Sequence, residues 1–336
     1  VLIVNLGDSV NSIYPDYNPV ISADESTLIF SSRRPESTGD GDVTDEGLYM
    51  EDVYVCYKKP NGKWTKAKSI SSRINTSGDE GCIGISPDGQ QLFVYKDVNG
   101  GDIYYSNLEG ETWSSLFPLS YNVNSPALET NVTLSVDGNT LYFVSDRKEG
   151  SYGGKDIWRS VRLPNGEWSL PTNLGPTINT AEDEDAPFIH PDGVTMFFSS
   201  KGHKNMGGYD VFKSVKLSDG KWSEPENLRA PINTPDDDVF YAQSPDGKRG
   251  YFSSIRKGNY GDRDIFRIDF ERSMAEPLTL LKGTLTFNGE NKMPGNVKIL
   301  VTEEGTKKLV QDIKPNEKTG KYIMILAPGI EGKSYN

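Results

Sequence analysis

The chain has 336 residues, which is enough for one large and one small domain. Its formal net charge of −12 speaks against nucleic acid as a partner, because nucleic-acid binding needs a basic surface. No run of about 18 apolar residues occurs, so the sequence predicts no membrane-spanning segment. The 34 glycines, 17 tyrosines and 13 phenylalanines are typical of many short strands joined by tight turns.

The N-terminal part of the chain contains one unit of an internal repeat, recognisable by four markers. The first is Asn11, between a valine and a serine, and the second is the turn that begins at Ser22 and leads into an apolar strand. The third, Asp52-Val53-Tyr54, follows a loop rich in Gly, Asp and Thr and begins another strand. The fourth, Gly62-Lys63-Trp64, indicates a hairpin into a fourth strand.

The same order of markers recurs along the chain. The asparagines are Asn11, Asn75, Asn124, Asn179 and Asn233, and the turns begin at Ser22, Ser86, Ser135, His190 and Ser244. Both sets have the same separations, namely 64, 49, 55 and 54 residues. Two markers in register across five copies indicate an array of similar units, and four-stranded units in a radial array form a β-propeller. A β-sandwich would not need five copies in register.

The ends of the repeat array predict how the ring closes. The third marker occurs five times, but the Gly-x-Trp hairpin occurs only four times, at Trp64, Trp113, Trp168 and Trp222. At the N-terminus, Asn5-Leu6-Gly7 matches Asn173-Leu174-Gly175, which ends a predicted fourth strand. The N-terminal strand is therefore predicted to complete the last blade and to remove its exposed edge. The fold class is all-β, with a five-bladed propeller over residues 1–272.

After Ser273 the pattern changes to a second all-β domain over residues 279–336. Alternating segments lie at Leu278–Phe287, Val297–Val301 and Tyr322–Leu326, with turns at Asn288-Gly289 and Thr319-Gly320. Such a pattern predicts a small β-sandwich. It would bury only a modest core and would lack its last strands.

These motifs resemble known families. The turns that precede Phe/Tyr runs ending in Ser-Ser or Ser145-Asp146-Arg147 resemble the PD40, or WD40-like, repeat of TolB-type propellers. The strands at Gly283 and Gly320 and the segment from Pro294 look like the carboxypeptidase regulatory-like domain. The order of the two resembles OmpA-family proteins of Bacteroidetes-type bacteria. That resemblance implies a periplasmic, outer-membrane-associated protein of the type IX secretion system. Peptidoglycan would be bound only through a further domain outside these residues.

One acidic residue stands six positions before each turn. These acids are Asp16, Glu80, Glu129, Glu184 and Asp238. Because the innermost strand of a propeller blade would precede the turn, we expect the five carboxylates to surround one mouth of the channel. Either they bond backbone amides and basic side chains, for which Arg33, Arg147, Lys201 and Arg256 are suitably placed, or they hold a cation or another ligand.

Two further sets of carboxylates are interpreted from their positions. The third-marker aspartates occur in every blade and are predicted to be structural, because a catalytic site on a pseudo-symmetric ring must break the symmetry; they are Asp52, Asp102, Asp156, Asp210 and Asp264. Asp40, Asp42 and Asp45 form an oxygen-rich cluster that could bind Ca²⁺, although it lacks the spacing of an EF-hand loop. A solvated loop is the alternative, and no other cofactor is expected.

The sequence favours a non-enzymatic function. It has two histidines, no Gly-x-Ser-x-Gly motif and no Cys/His spacing for zinc. We therefore expect a scaffold that binds other envelope or secretion-system proteins. The alternatives are a TolB-like docking propeller of another envelope system and a five-bladed glycosidase, which would need carboxylates in a central pocket.

Overall fold

The computed structural model is all-β and describes residues 1–38, 43–44, 47–273, 278–287, 294–295 and 297–326. Five separate antiparallel sheets form the blades, and their innermost strands contact one another around a central axis. The described residues contain no helix long and apolar enough to cross a membrane. The predicted five-bladed propeller with four-stranded blades is confirmed.

Each blade is numbered from its innermost strand outward. After β1 (Leu2–Asn5), blade 1 contains β2 (Asp16–Ile21), β3 (Thr27–Ser32), β4 (Asp52–Tyr57) and β5 (Lys68–Ser69). Blade 2 contains β6 (Glu80–Ile85), β7 (Gln91–Lys96), β8 (Asp102–Glu109), β9 (Thr112–Trp113) and β10 (Phe117–Pro118). Blade 3 contains β11 (Glu129–Leu134), β12 (Thr140–Ser145), β13 (Asp156–Val161) and β14 (Thr172–Asn173).

The last two blades follow the same order. Blade 4 contains β15 (Glu184–Ile189), β16 (Thr195–Ser200), β17 (Asp210–Val215) and β18 (Glu226–Asn227). Blade 5 contains β19 (Val239–Gln243), β20 (Arg249–Ser254) and β21 (Asp264–Asp269), and its outer strand is β1, which pairs with β21 from Leu2↔Asp269 to Asn5↔Phe266. The N-terminal strand therefore closes the ring, as predicted.

The repeat markers have identifiable structural roles. Each marker asparagine clamps the third strand of the preceding blade, as Asn179 does by accepting from the Ile157 amide and donating to its carbonyl. The turn serine and aspartate hold the hairpin between the first two strands, as Ser86 does by donating to Asp88. The Gly-x-Trp segments differ from expectation, because Trp64, Trp168 and Trp222 form only isolated bridges and the fourth strands begin several residues later.

The core is divided into five clusters, one between each pair of neighbouring blades. Large aromatic side chains such as Phe93, Phe143, Phe197 and Phe252 are fully buried in them. Cys56 and Cys82 are buried free thiols in two of these clusters. Because every cluster is shared by two blades, each blade is stabilised by both of its neighbours in the ring.

The C-terminal unit, defined here as the described residues from 278 to 326, contains two two-stranded sheets. β22 (Thr279–Thr284) pairs with β25 (Lys321–Leu326), and β23 (Ile299–Thr302) pairs with β24 (Leu309–Ile313). Its small core centres on Val301, Ile313 and Met324. The boundary between the domains and the β-sandwich fold of the second stay predictions.

Candidate functional site

The two ends of the ring carry different residues. In every blade, the start of the first strand and the start of the third strand both lie beside the end of the second strand. In blade 1, Ser32 at the end of the second strand pairs with Asp16 on the first and with Asp52 on the third. The five acids and the loops before the third strands therefore share one end, which we call the acid end. The Asp-Gly turns and the Trp hairpins lie at the opposite end, the turn end.

The five acids are buried within their blades and do not face the solvent. Each has a side chain with 0% exposure. Glu129 is representative, because it accepts hydrogen bonds from the Ser125 amide (2.8 Å), the Ser125 hydroxyl (2.6 Å) and the Ser145 hydroxyl (2.8 Å). The equivalent donors in the other blades belong to Ser12, Thr76, Thr180 and Thr234. These bonds favour the structural interpretation of the acids.

The basic partners of the acids match the expectation only in part. Arg147 pairs with Glu129 at 2.9 Å and Arg256 with Asp238 at 3.2 Å, as predicted. The partner of Asp16 is Arg34, at 2.8 Å, and Arg33 is turned toward other carboxylates. Glu80 pairs with Lys96 at 2.5 Å. Lys201 does not pair with Glu184, and its Nζ lies 3.5 Å from the Asp183 carboxylate.

Glu184 is the exception among the five acids, because it has no ion pair with any residue that the structure describes. It is held by the hydroxyls of Ser200 (2.6 Å) and Thr180 (2.8 Å) and by the Thr180 amide (2.7 Å). Burial raises the pKa of Glu184 to about 7, although these hydrogen bonds act in the opposite direction. The charge of this carboxylate therefore changes near neutral pH.

The third-marker aspartates brace the loops at the acid end. Oδ2 of Asp156 accepts from the Tyr152 amide (2.6 Å) and from the Asn173 side chain on the outer strand (2.6 Å). Asp210 and Asp264 make the same two kinds of bond. Burial raises the pKa of Asp52 to about 6 and also raises those of Asp102 and Asp210. This repeated geometry supports the structural role predicted for the set.

The braced loops project apolar side chains from the acid end. Four residues before the third-marker aspartate, blades 2 to 5 carry Val98, Tyr152, Met206 and Tyr260, with exposures of 39%, 50%, 48% and 50%. We call these four residues the apolar collar. Because the four residues stand at equivalent positions of four blades, the collar is a candidate contact surface at the acid end.

Inside the collar, a chain of polar side chains crosses the axis of the ring. Asn18 donates to Asn131 (2.8 Å), Asn131 donates to Asp185 (2.7 Å), and Lys155 pairs with Asp185 (3.1 Å). The cavity on the axis, lined partly by Asn18, Asn131 and Phe240, has a volume of only about 50 Å³. That is room for a few water molecules, so a larger ligand could meet the channel only at its mouth.

A second cluster without symmetry joins blades 1 and 2. Arg33 lies 3.5 Å from Glu51 and 3.3 Å from Asp79, and the Glu51 amide donates to Asp79 (2.6 Å). Tyr17 of blade 1 also stacks with Phe240 of blade 5, with their ring centroids 6.3 Å apart. Burial raises the pKa of Glu51 above its usual range, opposed by hydrogen bonding from Ser31 and by the charge of Arg33.

Sequence reasoning missed both asymmetric clusters, although a signal was present. At the position of Glu51 the other blades have Gly101, Lys155, Tyr209 and Arg263. A comparison of the five copies for positions that differ, instead of positions that agree, would have singled out Glu51, Lys155 and Asp185. The calcium candidates Asp40, Asp42 and Asp45 lie outside the described residues, and among those that are described no group of three His, Cys, Asp or Glu side chains could hold a metal ion.

Comparison with known proteins shows similarity at the level of fold. No family model matches the chain. No curated protein matches it either. TolB from Acinetobacter baumannii shares 16% sequence identity at a TM-score of 0.46. The alignment covers 77% of this chain and 55% of TolB, so this chain spans about half the length of that protein. A TolB candidate from Agrobacterium tumefaciens shares 16% sequence identity at a TM-score of 0.47, and the alignment covers 98% of this chain and 97% of that protein. A glycoside hydrolase shares 7% sequence identity at a TM-score of 0.50, and the alignment covers 80% of this chain and 91% of the hydrolase. At these identities the similarity concerns the propeller fold alone.

Proposed function

We propose that this protein is a non-enzymatic interaction propeller that binds a partner protein at its acid end. The observation that carries the proposal is the apolar collar, in which four blades present an exposed apolar side chain. In three of them, at Tyr152, Met206 and Tyr260, the loop is braced by a buried aspartate. Rigid presentation of such side chains lowers the entropic cost of binding. The charged and polar clusters at the channel mouth would select among partners by charge.

The finer proposal concerns the setting of this interaction. Resemblance of the repeat and of the domain order to OmpA-family proteins supports a periplasmic, outer-membrane-associated scaffold that binds other envelope proteins. Within that family, the proposed assembly is the type IX secretion system, whose component PorE has a similar order of domains. The support for this assignment is the domain order read from the sequence, and the collar is the surface through which we propose that the assembly is contacted.

The experiment is a pull-down from envelope extract of the source bacterium with three forms of the protein. The first is the wild type, and the second carries Tyr152→Ser and Tyr260→Ser. The third is a matched control with Leu170→Ser, which changes an equally apolar side chain with 74% exposure in the connection that follows Trp168. We expect the same partner with wild type and control and its loss with the double variant. Retention of the partner by the double variant would contradict the proposal.

A glycosidase remains the second candidate, because two carboxylates at the channel mouth break the repeat symmetry. No other blade has a carboxylate at the position equivalent to Glu51 or at the position equivalent to Asp185, and both side chains are largely buried. Two carboxyl groups on either side of a sugar bond are the usual requirement for glycoside hydrolysis. A screen on polysaccharides tests this function, and any activity found should be lost in Glu51→Gln or Asp185→Asn.

A further inference from the structure

The C-terminal unit is attached to the turn end of the propeller through a specific contact. Asn316 is only 4% exposed, and its side-chain amide donates to the carbonyls of Leu108 (2.9 Å) and Gly110 (3.4 Å). Its Oδ1 accepts from the amides of Lys318 (3.2 Å) and Thr319 (3.1 Å), which fixes its own turn. Because both the nitrogen and the oxygen of this buried amide have hydrogen-bond partners, the contact is specific.

The propeller segment that receives Asn316 is the one hairpin that departs from the repeat. In blade 2 the third strand continues to Glu109 and pairs with β9, and the hairpin is one residue longer than its equivalents. Charge complementarity adds to this contact, because each ion pair across it among the described residues has lysine on the C-terminal unit and a carboxylate on the propeller. These pairs are Lys282–Asp24 (3.1 Å), Lys318–Glu109 (3.3 Å) and Lys321–Glu111 (3.5 Å).

The contact encloses a cleft of about 820 Å³ between blades 1 and 2 and the C-terminal unit. This volume lies within the range of about 300–1,000 Å³ that is typical of small-molecule sites. The lining is mixed, and its other residues are polar, charged or glycine. Its apolar part comes from Ile29, Val55, Ile85, Leu108 and Trp113 of the propeller and from Tyr322 and Ile323 of the C-terminal unit. A ligand with an apolar body would therefore bury its surface against both units.

Two of the charged side chains that line the cleft, Lys68 and Asp88, form no ion pair with any residue that the structure describes. The Asp88 carboxylate is held in its own turn by the Ser86 hydroxyl and the Gln90 amide, so Lys68 is the cation left for a ligand. Lys282 and Lys321 line the cleft but are already paired with carboxylates of the propeller. Lys68 also lines it, and its Nζ lies 5.3 Å from the ring centroid of Tyr57. Within the part of the chain that the structure describes, Lys68 forms no ion pair. An anionic group that enters the cleft would meet this ammonium group beside an aromatic ring.

We propose that the cleft is a binding site for an amphipathic anion, namely an apolar chain that ends in one carboxylate. The apolar lining takes the chain, and Lys68 takes the carboxylate through a charge-assisted hydrogen bond. A cationic amphiphile would meet Lys68 as a like charge, and a neutral sugar would leave the apolar lining unmatched. Because the walls belong to both units, the ligand also holds the C-terminal unit against the propeller.

The test is isothermal titration of the full chain with dodecanoate, below the concentration at which it forms micelles. We expect saturable binding of one dodecanoate per chain and no binding of dodecyltrimethylammonium, which has the same chain and the opposite charge. This comparison is informative because the protein has a formal charge of −12, so unspecific attraction would favour the cation. Lys68→Met should weaken dodecanoate binding about tenfold, which corresponds to the loss of one good charged contact.

Two variants make the outcome decisive. Lys66→Met is the matched control, because Lys66 is an exposed lysine two residues away that does not line the cleft, and it should bind like the wild type. Thr284→Trp introduces an indole into the cleft from β22 and should abolish binding. Equal affinities of the wild type and Lys68→Met, equal binding of the two amphiphiles, unchanged binding in Thr284→Trp or absence of dodecanoate binding would each overturn the proposal.

Discussion

At the scale of single residues, the acid ring shows how one repeated position acquires different properties. Glu129 and Glu184 are equally buried and accept the same types of hydroxyl and amide donors. The difference is Arg147, which pairs with Glu129, whereas the equivalent position in blade 4 is Gly202. Burial of a carboxylate without a cation raises its pKa, and that of Glu184 is about 7.

This difference predicts opposite behaviour of two matched variants. The pKa of Glu184 rises on folding from 4.5 to about 7, so its contribution to stability is complete below pH 4.5 and is lost as the pH rises through 7. In Glu184→Gln that loss cannot occur. We expect the unfolding free energy of the variant, relative to wild type, to improve between pH 5 and pH 8, by at most about 3 kcal/mol.

The control for this experiment is Glu129→Gln, which removes the partner of a largely buried arginine. Its unfolding free energy should fall below that of the wild type at pH 8, by about 1–3 kcal/mol, because Arg147 keeps its charge. Chemical unfolding of all three proteins at pH 5 and pH 8 measures both effects. A Glu184→Gln variant that loses stability relative to wild type as the pH rises would contradict the explanation from burial.

A second prediction at this scale concerns cations. Because the ring acids bond hydroxyls, amides and, except for Glu184, basic side chains, we expect them to need no metal ion. The melting temperature of the wild type should therefore be the same with Ca²⁺ and with a chelator. A fall of several degrees with chelator would point to a bound ion, and the same measurement on an Asp40→Asn, Asp42→Asn variant would show whether the candidate calcium loop holds it.

At the scale of elements, ring closure depends on β1. Asn5 donates to Asp264 (2.6 Å) and accepts from Gly7 (2.8 Å) and Asn11 (2.8 Å), while Ile3 and Leu6 pack on the neighbouring clusters. Asn173 makes the same three kinds of bond within blade 3. In blades 3, 4 and 5 the fourth strand is therefore held by one asparagine, and that of blade 5 comes from the other end of the chain.

Deletion of residues 1–7 should expose the edge of β21 and remove these contacts. We expect the melting temperature to fall by about 10 °C, because a loss of roughly 3–5 kcal/mol lowers it by about 2–4 °C per kcal/mol in a protein of this size. Asn5→Ala and Asn173→Ala should each cost about 1–3 kcal/mol. Only Asn5→Ala should accelerate amide exchange along β1. An unchanged melting temperature after the deletion would show that β1 does not close the ring.

The fold could be predicted from the sequence to the level of blades and strand order because the information repeats. Asn5-Leu6-Gly7 matched Asn173-Leu174-Gly175, and this match was sufficient to assign β1 to blade 5. The site could be predicted only in part, because its contacts do not repeat. The exception is the partner of Asp16, because Arg34 stands 18 positions after it. The same spacing separates Glu129 from Arg147 and Asp238 from Arg256, and it identifies Arg34 instead of Arg33. The contacts from Asn18 through Asn131 to Asp185 join three blades and have no marker in any one of them.

At the scale of the whole molecule, the two units should differ in their ability to fold alone. The propeller has five buried clusters, whereas the C-terminal unit buries few large side chains around Val301, Ile313 and Met324. We expect a protein cut after residue 272 to keep a cooperative melting transition, and the isolated residues 279–336 to be marginal or unfolded. Circular dichroism of the two pieces measures this. Loss of the propeller's transition in the shortened protein would place the domain boundary elsewhere.

Among the described residues, the orientation of the C-terminal unit should depend on the buried Asn316 amide, on an exposed hydrogen bond from Gln90 to the Lys314 carbonyl (2.7 Å) and on three exposed ion pairs. Exposed pairs are worth at most about 1 kcal/mol each and are screened at high salt, so the buried amide of Asn316 should contribute most of the specificity. Asn316→Asp keeps the acceptor that the Lys318 and Thr319 amides use but removes the donor to Leu108 and Gly110.

We therefore expect Asn316→Asp to release the C-terminal unit from the propeller while the propeller stays folded. The radius of gyration from small-angle X-ray scattering should be larger in this variant than in the wild type. It should increase further in about 1 M salt, and this increase should be smaller for the wild type. Lys321→Glu, which opposes Glu111 with a like charge on the exposed rim, serves as the control for the ion pairs and should show an opening that high salt reduces. Equal scattering of wild type and Asn316→Asp at both salt concentrations would mean that other contacts hold the unit in place.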